Sequence, residues 1–340
     1  MSGAPRVAVI GAGIAGASCA RILADAGLSV QVFDKSRGVG GRMTTRRVDW
    51  TDASGVTHTA SFDHGTSCFS EHAPDFSDFV AEAQRAGLVA PWTPAIAAGS
   101  HVTPDLTELW VATPDMPALC RHLLQDVPLQ TLCAIDAFSR SADGWHLHSE
   151  GTTIAAGFDA VVVAIPPLQA AALLQAHQPD WAQQATARTM LPGWTLMGIT
   201  ADRGTRIDWD LACPPAGPLA KIVRNDSKPG RSSLPGHTHW VLHASAAWSA
   251  DHLELSAAEV QPLLQQAMAD WLGQPLSWTY STVHRWRYAT VPAGSASVDR
   301  HWWDADAGIG VCGDAWGGAG VEGAWLSAQA LASAILISAA

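Results

Sequence analysis

Three glycines near the amino terminus are spaced as in loops that bind phosphate. Gly11, Gly13 and Gly16 form the pattern Gly-x-Gly-x-x-Gly, directly after the apolar run Arg6–Ile10. The first glycine permits a tight turn, the second lets the backbone approach a pyrophosphate, and the third lets a helix pack against a strand. The N–H groups at the start of that helix would attract phosphate. The pattern predicts a dinucleotide site, with a glycine-rich turn of no chemical role as the alternative.

An acidic residue follows where such a site needs one. Asp34 ends a second apolar run, Leu28–Phe33, about 20 residues after the glycines. Its carboxylate can accept hydrogen bonds from a ribose hydroxyl. Residues Ala17–Ala26, between the two apolar runs, are predicted to form a helix that Gly27 ends. Because strand, helix, strand and acid come in this order, the dinucleotide interpretation is favoured over a bare turn.

A second segment favours FAD over NAD as the dinucleotide. Residues 37–42, Arg-Gly-Val-Gly-Gly-Arg, come just after the acid. A dehydrogenase that binds only NAD has no need for this second glycine pair and its arginines. The guanidinium of Arg42 offers a fork of donors to phosphate oxygens. A flexible basic loop is the alternative.

A third segment lies near the carboxyl terminus. Gly313 and Asp314 end an apolar run, and the glycine-rich residues 317–324 lead into a predicted helix, Glu322–Ser338. This order resembles flavoproteins of the glutathione-reductase and amine-oxidase types. In those proteins the arginine segment wraps the far side of the pyrophosphate, and the aspartate contacts the ribityl chain or the pyrophosphate. The final helix would point its N-terminus at flavin N1 and C2=O, where negative charge gathers on reduction. The three segments in this order predict FAD.

Composition excludes several other classes of function. The 340 residues carry a net charge of −11, which argues against nucleic acid as a partner. The six cysteines have neither paired nor metal-ligand spacing, so we expect reduced thiols, no metal and a cytoplasmic location. We see no secretory leader and no apolar run of about 18 residues, and therefore expect no membrane span.

The predicted elements interleave two domains in an α/β fold. Residues 1–65, 116–167 and 281–340 are predicted to form a Rossmann-like, two-dinucleotide FAD-binding domain. Residues 66–115 and 168–280 would form an inserted substrate domain of a mixed sheet plus helices. Val127–Phe138 is predicted to be strand, and Thr238–His243 an exposed strand because apolar and polar side chains partly alternate.

The chain resembles the renalase family, a branch of the amine-oxidase-like FAD proteins. The likeness runs nearly from end to end, through segments 32–43, 63–65, 224–229, 240–244, 248–249, 284–289, 311–314 and 321–327. It implies FAD held without a covalent bond, and oxidation of NAD(P)H isomers whose hydride sits on ring carbon 2 or 6 rather than 4. Bacterial members pass the electrons to O2, which becomes H2O2.

The three segments and the resemblance together suggest two sets of site residues. Those expected to bind FAD are Gly11, Gly13, Ile14, Ala15, Gly16, Asp34, Lys35, Arg37, Gly41, Arg42, Met43, Asp63, His64, Gly65, Ile135, Gly313, Asp314, Val321, Glu322 and Ala324. Those expected in the substrate cavity over the flavin are Asn225, Trp240, His243, Arg285, Trp286, Tyr288 and Trp325. Aromatic rings could sandwich a nicotinamide, and Arg285 could meet a phosphate or a carboxamide. Each tryptophan could instead be core, and His243 an ordinary strand residue.

The chain departs from the family pattern beside the flavin. Thr66, Ser67 and Cys68 stand where family members have Ala, Gln and Tyr, and Ala112 stands where they have Gly. These changes bear on the substrate and leave the FAD assignment intact. Neither His64 nor Cys68 shows a feature that would activate it for a covalent bond to flavin.

Two other functions stay open beside dihydronicotinamide oxidation. An amine oxidase or desaturase would need a hydrophobic cage for an uncharged amine and would have no use for Arg285. A flavin-binding protein without turnover would hold FAD that no common reductant reduces quickly. No acid–base triad is visible, and none is required, because hydride transfer to flavin N5 depends on alignment rather than on a proton relay.

Overall fold

The computed structural model describes residues 4–101, 108–201, 207–292, 294 and 299–339. The helices of this part are α1 Ile14–Asp25, α2 Pro74–Arg85, α3 Ala118–Leu123, α4 Pro167–Leu174, α5 Pro179–Ala187, α6 Ala246–Asp251, α7 Ala257–Leu272, α8 Asp314–Gly317 and α9 Gly320–Ala339. The strands are β1 Arg6–Ile10, β2 Ser29–Phe33, β3 Arg46–Thr51, β4 Thr57–Phe62, β5 Val89–Trp92, β6 Leu109–Ala112, β7 Leu129–Gln130, β8 Ala137–Ser141, β9 Gly144–Ser149, β10 Thr152–Phe158, β11 Ala160–Val163, β12 Leu191–Ala201, β13 Leu211–Ala212, β14 Leu219–Arg224, β15 His237–Ala244, β16 Trp278–Thr290, β17 Trp302–Asp304 and β18 Ile309–Val311.

A six-stranded sheet in the order β17-β18-β11-β1-β2-β7 carries the nucleotide-binding segments. Strands β18, β11, β1, β2 and β7 run parallel, and β17 is antiparallel to β18. The central strands are apolar and buried on both faces, as a parallel sheet covered by helices requires. The carboxyl ends of β1, β2 and β18 lie at one edge, where Gly11, Asp34 and Gly313 follow them. The α/β prediction is confirmed.

A five-stranded antiparallel sheet, in the order β13-β14-β15-β12-β16, forms a second layer. Successive side chains along its strands alternate between two faces. One face, here called the outer face, packs Leu196 and Leu242 against Leu264 of α7. The opposite face, here called the inner face, joins Met197 and Val241 to the main core of the protein. Both faces of this sheet are therefore covered.

Two strand predictions are corrected by the structure. Thr238–His243 lies within β15, which is a mostly buried inner strand between β14 and β12 rather than an exposed one. Val127–Phe138 is not one strand, because it divides into β7 and the start of β8. Leu132, between them, has a φ of 54°, which a strand does not tolerate. The predicted domain boundaries stay a prediction, although β16 crosses the boundary set at residue 281.

The last helix, α9, packs along α1 beneath the glycine loop. In the part of the chain that the structure describes, α9 alone is long and apolar enough to cross a bilayer. Half of that segment is buried inside the protein, where Leu331 and Ala332 contribute to the main core. The apolar character of α9 is thus accounted for by packing within this fold.

Candidate functional site

The three glycines of the predicted phosphate site lie where β1 leads into α1, with Gly11 and Gly13 in the loop and Gly16 in the first turn of the helix. A side chain at Gly16 would collide with the carbonyl oxygen of Gly11, and one at Gly11 would lie 2.5 Å from the carbonyl oxygen of Ala164. A Cβ at Gly13 would instead meet no other protein atom nearer than the Gly40 carbonyl oxygen, 4.0 Å away. Gly11 and Gly16 are therefore required for packing, whereas the open side of Gly13 is available to a ligand.

Asp34 lies at the carboxyl end of β2, beside this loop. Its carboxylate accepts hydrogen bonds from the backbone N–H groups of Ala12 and Ser36, each at 2.7 Å. These two bonds hold the carboxylate at the edge of the sheet where the ribose of a dinucleotide is bound in Rossmann folds. Its remaining lone pairs can accept ribose hydroxyls.

The second glycine segment closes over the first. Gly13 and Gly40 form an isolated parallel bridge, and the Gly40 N–H donates to the carbonyl oxygen of Ala12 at 2.8 Å. Further on, the Met43 N–H donates to the carbonyl oxygen of Gly40 at 2.8 Å, and Met43 is buried. The two segments therefore form one continuous backbone cradle at the edge of the sheet.

The third segment meets this cradle through an ion pair. The guanidinium of Arg42 donates to both carboxylate oxygens of Asp314, at 2.6 Å each, although the two residues are 272 positions apart. Arg42 also donates to the carbonyl oxygen of Ala289 at 3.3 Å, which connects the pair to the end of β16. The N–H of Gly313 donates a hydrogen bond to the hydroxyl oxygen of Ser327 at 2.9 Å.

This arrangement fits a dinucleotide with two phosphates. Helix α1 begins after Gly13 without a side-chain cap, so the N–H groups of its first turn, at Ile14, Ala15 and Gly16, can bind a phosphate oxygen. Arg42, which follows the second glycine segment, retains N–H groups beyond those bound to Asp314 and Ala289 and so offers a second, charged donor. These residues would hold the pyrophosphate of FAD.

The other predicted FAD ligands lie around the same cradle or in the core below it. Lys35 donates to the side chain of Gln169 at 3.2 Å, and Arg37 is exposed. Ile135 packs against the core cluster beneath β2. Along α9 the predicted FAD ligands Val321 and Ala324 are buried in the main core. Gly65 lies against Arg42, since a Cβ there would collide with the Arg42 carbonyl oxygen.

Glu322 has a different partner from the predicted one. Its carboxylate accepts hydrogen bonds from the backbone N–H groups of His72 at 3.2 Å and Ala73 at 2.5 Å. It also contacts the imidazole of His72 at 3.0 Å. Because these groups precede α2, Glu322 caps the start of that helix, and its carboxylate is not free to bind the cofactor.

Asp63, predicted to bind FAD, is instead the centre of a buried ion network. One carboxylate oxygen accepts hydrogen bonds from Lys228 at 2.6 Å and from Arg231 at 2.9 and 2.7 Å. The other oxygen accepts one from the hydroxyl of Thr45 at 2.6 Å. The side chains of Asp63 and Lys228 are 0% exposed, and that of Arg231 is 1% exposed. The prediction is therefore wrong for this side chain, because protein groups occupy both of its oxygens.

Asn225 belongs to the same network rather than to a substrate cavity. Its side-chain oxygen accepts a hydrogen bond from the Asp63 N–H at 3.2 Å, and its amide donates to the carbonyl oxygen of Ser61 at 2.9 Å. Burial alone would raise the pKa of Asp63, but the charges of Lys228 and Arg231 hold that pKa below its usual value. The network fastens residues 225–231 to the end of β4. Sequence analysis missed its two cations, which lie more than 160 positions from their partner.

Three aromatic rings, here called the aromatic wall, meet at the inner face of the five-stranded sheet. The centroid of the His64 ring lies 5.0 Å from that of His284 and 5.2 Å from that of Trp286. The centroids of the His284 and Trp286 rings are 4.4 Å apart. The indole N–H of Trp286 donates to the carbonyl oxygen of His64 at 3.2 Å. Tyr288 follows half-buried along β16, next to the Ala289 carbonyl that meets Arg42. Sequence analysis missed His284, which shares the side of β16 that carries Trp286.

His243 lies on the same inner face, two strands away from His284. Its Nδ1 is 3.3 Å from the hydroxyl of Thr195. Its Nε2, like Nδ1 of His64, is buried and has no hydrogen-bond partner within the described residues. Buried nitrogens of this kind are normally satisfied, so these two atoms are candidates to bind a ligand.

Burial keeps these histidines uncharged. It lowers the pKa of His64 to about 4, with help from His284 and Arg46. It lowers the pKa of His243 to about 3, with help from Lys221 and Lys228. The pKa of His284 is also lowered, first by burial and then by the charge of Arg46. At neutral pH the site therefore presents neutral imidazoles, which can donate or accept hydrogen bonds.

We expect stability to fall with pH below about 6.5, the pKa of histidine in an unfolded chain. The folded pKa values of His64 and His243 are lower, so the unfolded state binds protons first and gains stability as pH decreases. Each histidine contributes a slope of up to about 1.4 kcal/mol per pH unit between its folded and unfolded pKa values.

Urea unfolding of wild type and His243→Gln between pH 6.5 and 4.5 measures this slope. The slope should be shallower in the variant, and unchanged in a variant of the exposed His101. Equal slopes in wild type and His243→Gln would contradict the assignment.

Three predicted substrate residues face away from this site. Trp240 lies on the outer face, fully buried, with its indole N–H donating to Thr200 at 2.9 Å. Arg285 also points outward, where its guanidinium donates to the carbonyl oxygen of Leu253 at 2.8 Å and lies 5.7 Å from the ring of Trp194. These two predictions are corrected, because strand residues alternate between faces and both occupy outward positions.

Trp325 is the third of these residues. Its ring stacks on Phe79 at 5.1 Å and contacts Phe76 at 5.5 Å, in the core between α2 and α9. It is a packing residue of that core. The predicted substrate residues that the structure does bring to the inner face are His243 and Trp286, and Tyr288 extends the same strand.

Comparison with known proteins agrees with this geometry. Residues 9–83 match the family model of the NAD(P)-binding Rossmann-like domain, and residues 93–336 match that of the flavin containing amine oxidoreductases. The fold is similar to a protein of Exiguobacterium sp. 255-15 described as a candidate protoporphyrinogen oxidase, with a TM-score of 0.73, 14% identity and coverage of 99% of this chain and 100% of that one. Cyclohexylamine oxidase from Brevibacterium oxydans IH-35A has a TM-score of 0.62 and 13% identity, over 98% of this chain and 100% of that one. At these identities the similarity shows the fold.

Curated sequences match shorter stretches. A carotenoid phi-ring synthase of Streptomyces griseus is 41% identical over 59 residues, which are 17% of this chain and 11% of that protein. A bifunctional protein of tRNA 5-methylaminomethyl-2-thiouridine biosynthesis from Magnetococcus marinus is 28% identical over 194 residues, 46% of this chain and 29% of that one. The chain thus spans less than a third of either relative. Because the amine oxidoreductase model covers well over half of the chain, this protein belongs to the flavin containing amine oxidoreductase family and is an FAD-dependent oxidoreductase.

Proposed function

We propose that this protein oxidises dihydronicotinamide dinucleotides that carry the transferable hydride on ring carbon 2 or 6. The proposal rests on the resemblance to the renalase family and on one structural observation, the aromatic wall of His64, His284 and Trp286. In the overall reaction the substrate loses a hydride and becomes NAD(P)+, while O2 takes up two electrons and two protons as H2O2. FAD, when bound, supplies the hydride acceptor between the two.

The aromatic wall suits a flat, uncharged ring. The rings of His64 and Trp286 are inclined by 31° with their centroids 5.2 Å apart, and a dihydronicotinamide could stack on a ring of this cluster. The wall is joined to the cofactor cradle, because β16 continues from Trp286 to the Ala289 carbonyl that accepts from Arg42. A ring lying on the wall would therefore be held next to the cofactor.

Neutral imidazoles can orient that ring. Nδ1 of His64 and Nε2 of His243 lack partners among the described residues, and both histidines are uncharged at neutral pH. A carboxamide presents one acceptor oxygen and two N–H donors, which matches imidazoles that can donate or accept. Fixing the ring in one orientation decides which carbon faces the hydride acceptor, so discrimination comes from position rather than from affinity.

The position of Arg285 does not distinguish a dihydronicotinamide oxidase from an amine oxidase. Its guanidinium lies on the outer face, so it can neither bind the substrate phosphate nor argue against an amine. The two substrate classes are distinguished instead by the inner face, where the aromatic wall consists of rings and contains no carboxylate that would favour an amine cation.

We expect 2- or 6-dihydro-NAD(P) to reduce the bound flavin at least about a hundredfold faster than ordinary 4-dihydro-NADH or a simple amine, because a misplaced hydride carbon costs about that much. The measurement is the anaerobic rate of flavin bleaching after rapid mixing with each isomer. Equal rates with 4-dihydro-NADH would make the protein an ordinary NADH oxidase, and fast reduction by amines alone would establish amine oxidation.

Two variants locate the site within the sheet. Trp286→Leu removes a ring of the wall and should slow flavin reduction by at least about tenfold, as expected for lost alignment. Arg285→Gln changes the neighbouring residue on the outer face and should leave the rate unchanged. Loss of activity in Arg285→Gln with full activity in Trp286→Leu would place the substrate elsewhere.

A further inference from the structure

A row of polar side chains crosses the inner face of the five-stranded sheet. The strand register places His284 opposite Thr195, Thr195 opposite His243, and His243 opposite Lys221. Residues paired in this way point their side chains to the same face. With strands about 4.8 Å apart, the row spans roughly 14 Å. One end of the row is therefore a histidine of the aromatic wall, and the other end is a lysine.

Lys221 is a cation with no counter-ion in the part of the chain that the structure describes. It is half-buried, and it forms neither an ion pair nor a hydrogen bond with any residue that the structure describes. It shares the inner face with Val223, which joins the main core, so its side chain is directed to the same side as His243. Its charge acts on that histidine, since after burial it is the next cause of the lowered pKa of His243.

Arg46, an exposed residue near the other end of the row, is a second cation without an ion pair among the described residues. It lies opposite Phe62 in the β3–β4 pair, and the ring of Phe62 stacks on that of Tyr280 at 6.4 Å. Arg46 is therefore on the side of the hairpin that faces β16, where its charge contributes to the lowered pKa of His284. Its neighbour Arg47 approaches Asp115 at 3.7 Å, whereas Arg46 has no such partner in the described residues.

None of the strands β12, β14, β15 and β16 contains an Asp or Glu residue, and the buried carboxylate of Asp226, beside His239, accepts from the His239 N–H and lies 3.8 Å from the Arg224 guanidinium. Among the described residues, the inner-face side chains of β12, β14, β15 and β16 named so far are apolar, aromatic, hydroxyl, histidine or lysine. Asp63 adjoins His64, but it is already paired with Lys228 and Arg231. Two cations that lack an ion pair among the described residues and act on histidines of one sheet face are notable in a chain with a net charge of −11. Their charge is available to a ligand.

We infer that Lys221 and Arg46 make the space that a ligand would occupy beside the row and the aromatic wall, here called the chamber, electropositive, and that they select substrates carrying an anionic group, such as the phosphate of a nucleotide. The choice of a nucleotide phosphate rests on the function proposed above, whereas the preference for anions over amine cations rests on the two side chains alone. An amine cation approaching the row would meet like charge at both ends. A phosphate would gain a charge-assisted hydrogen bond at either end.

The charge of the chamber can be tested without any substrate. In the holoenzyme, flavin fluorescence is quenched with iodide, an anion, with caesium, a cation, and with acrylamide, which is neutral. We expect iodide to quench better, relative to acrylamide, than caesium does. Lys221→Gln and Arg46→Gln should each lower the iodide-to-acrylamide ratio of quenching constants about twofold, as expected for removal of one charge about 8 Å away in water-like surroundings. Arg47→Gln removes the same charge from the adjacent, paired residue and should leave the ratio unchanged. Equal ratios in wild type and all three variants would overturn the inference.

A second measurement asks whether the anion is a phosphate. Nicotinamide mononucleotide and nicotinamide riboside share the ring and differ by one phosphate, and binding of each can be followed through the flavin spectrum without turnover. Wild type should bind the mononucleotide more tightly, and each of the two glutamine variants should lose about threefold to tenfold of that preference. If iodide responds to the variants but neither nicotinamide compound binds, the chamber selects anions and the proposed nicotinamide substrate is wrong. If the preference for the mononucleotide is the same in every variant, the roles of Lys221 and Arg46 are wrong.

Discussion

The Gly13→Val protein is expected to fold and to purify without FAD. A Cβ at this position would lie 4.0 Å from the Gly40 carbonyl oxygen and nearer to no atom beyond the adjoining residues, and the backbone of Gly13 has a φ of −73° and a ψ of 177°, which valine adopts without strain. The isopropyl group would occupy the open side of Gly13 at the α1 N-terminus, where we expect the pyrophosphate to bind. We expect an affinity loss of at least about a hundredfold, or about 2.8 kcal/mol.

Gly16→Ala is the matched control, because it adds a smaller side chain to the same glycine motif, in the first turn of α1. Its Cβ would collide with the carbonyl oxygen of Gly11, so the fold itself should be destabilised whether or not FAD is present. Flavin content per polypeptide and thermal unfolding are measured for both variants. Each is compared with wild-type apoprotein, since loss of a ligand lowers stability by mass action. Retention of FAD by Gly13→Val at the wild-type level would place the pyrophosphate elsewhere.

Asp63→Asn is expected to lower the free energy of unfolding by about 3–5 kcal/mol, the usual cost of breaking a buried ion network. The substitution keeps the shape of the side chain but removes the charge that balances Lys228 and Arg231, whose side chains are 0% and 1% exposed. Lys228 can escape by losing its proton, because burial already lowers its pKa. The variant should therefore recover stability as pH rises above neutrality, and more steeply than wild type, in which the charge of Asp63 offsets part of this lowering.

Asp25→Asn provides the comparison with an exposed ion pair. Asp25 pairs with Arg21 at 2.5 Å, but its side chain is 65% exposed, and surface pairs contribute only about 0–1 kcal/mol. Urea midpoints of both variants, measured as holoproteins between pH 7 and 9, separate the two cases. Similar small effects for Asp63→Asn and Asp25→Asn would mean that the Asp63 network is hydrated rather than buried.

The cofactor cradle could be predicted from sequence because most of it is local. Gly11, Gly13 and Asp34 belong to one strand–helix–strand unit, in which glycine spacing and apolar periodicity determine the backbone. The pairing of Arg42 with Asp314 spans 272 positions, yet both residues follow strands of the same parallel sheet. The carboxyl ends of parallel strands share one edge, so the order of the motifs was sufficient to bring them together there.

The side chains around the substrate were decided by the tertiary structure. In β16 the neighbours His284, Arg285 and Trp286 alternate between the two faces, and the sheet is covered on both, so apolar patterning does not show which face meets the cofactor. Asp63 was assigned to FAD because no local feature indicates Lys228 and Arg231, which reach it from a distant turn. A strand's period of two makes such assignments sensitive to a shift of one residue. Which side chains of β16 face the site is determined only by the packing of α7 on one face of the sheet and of the main core on the other.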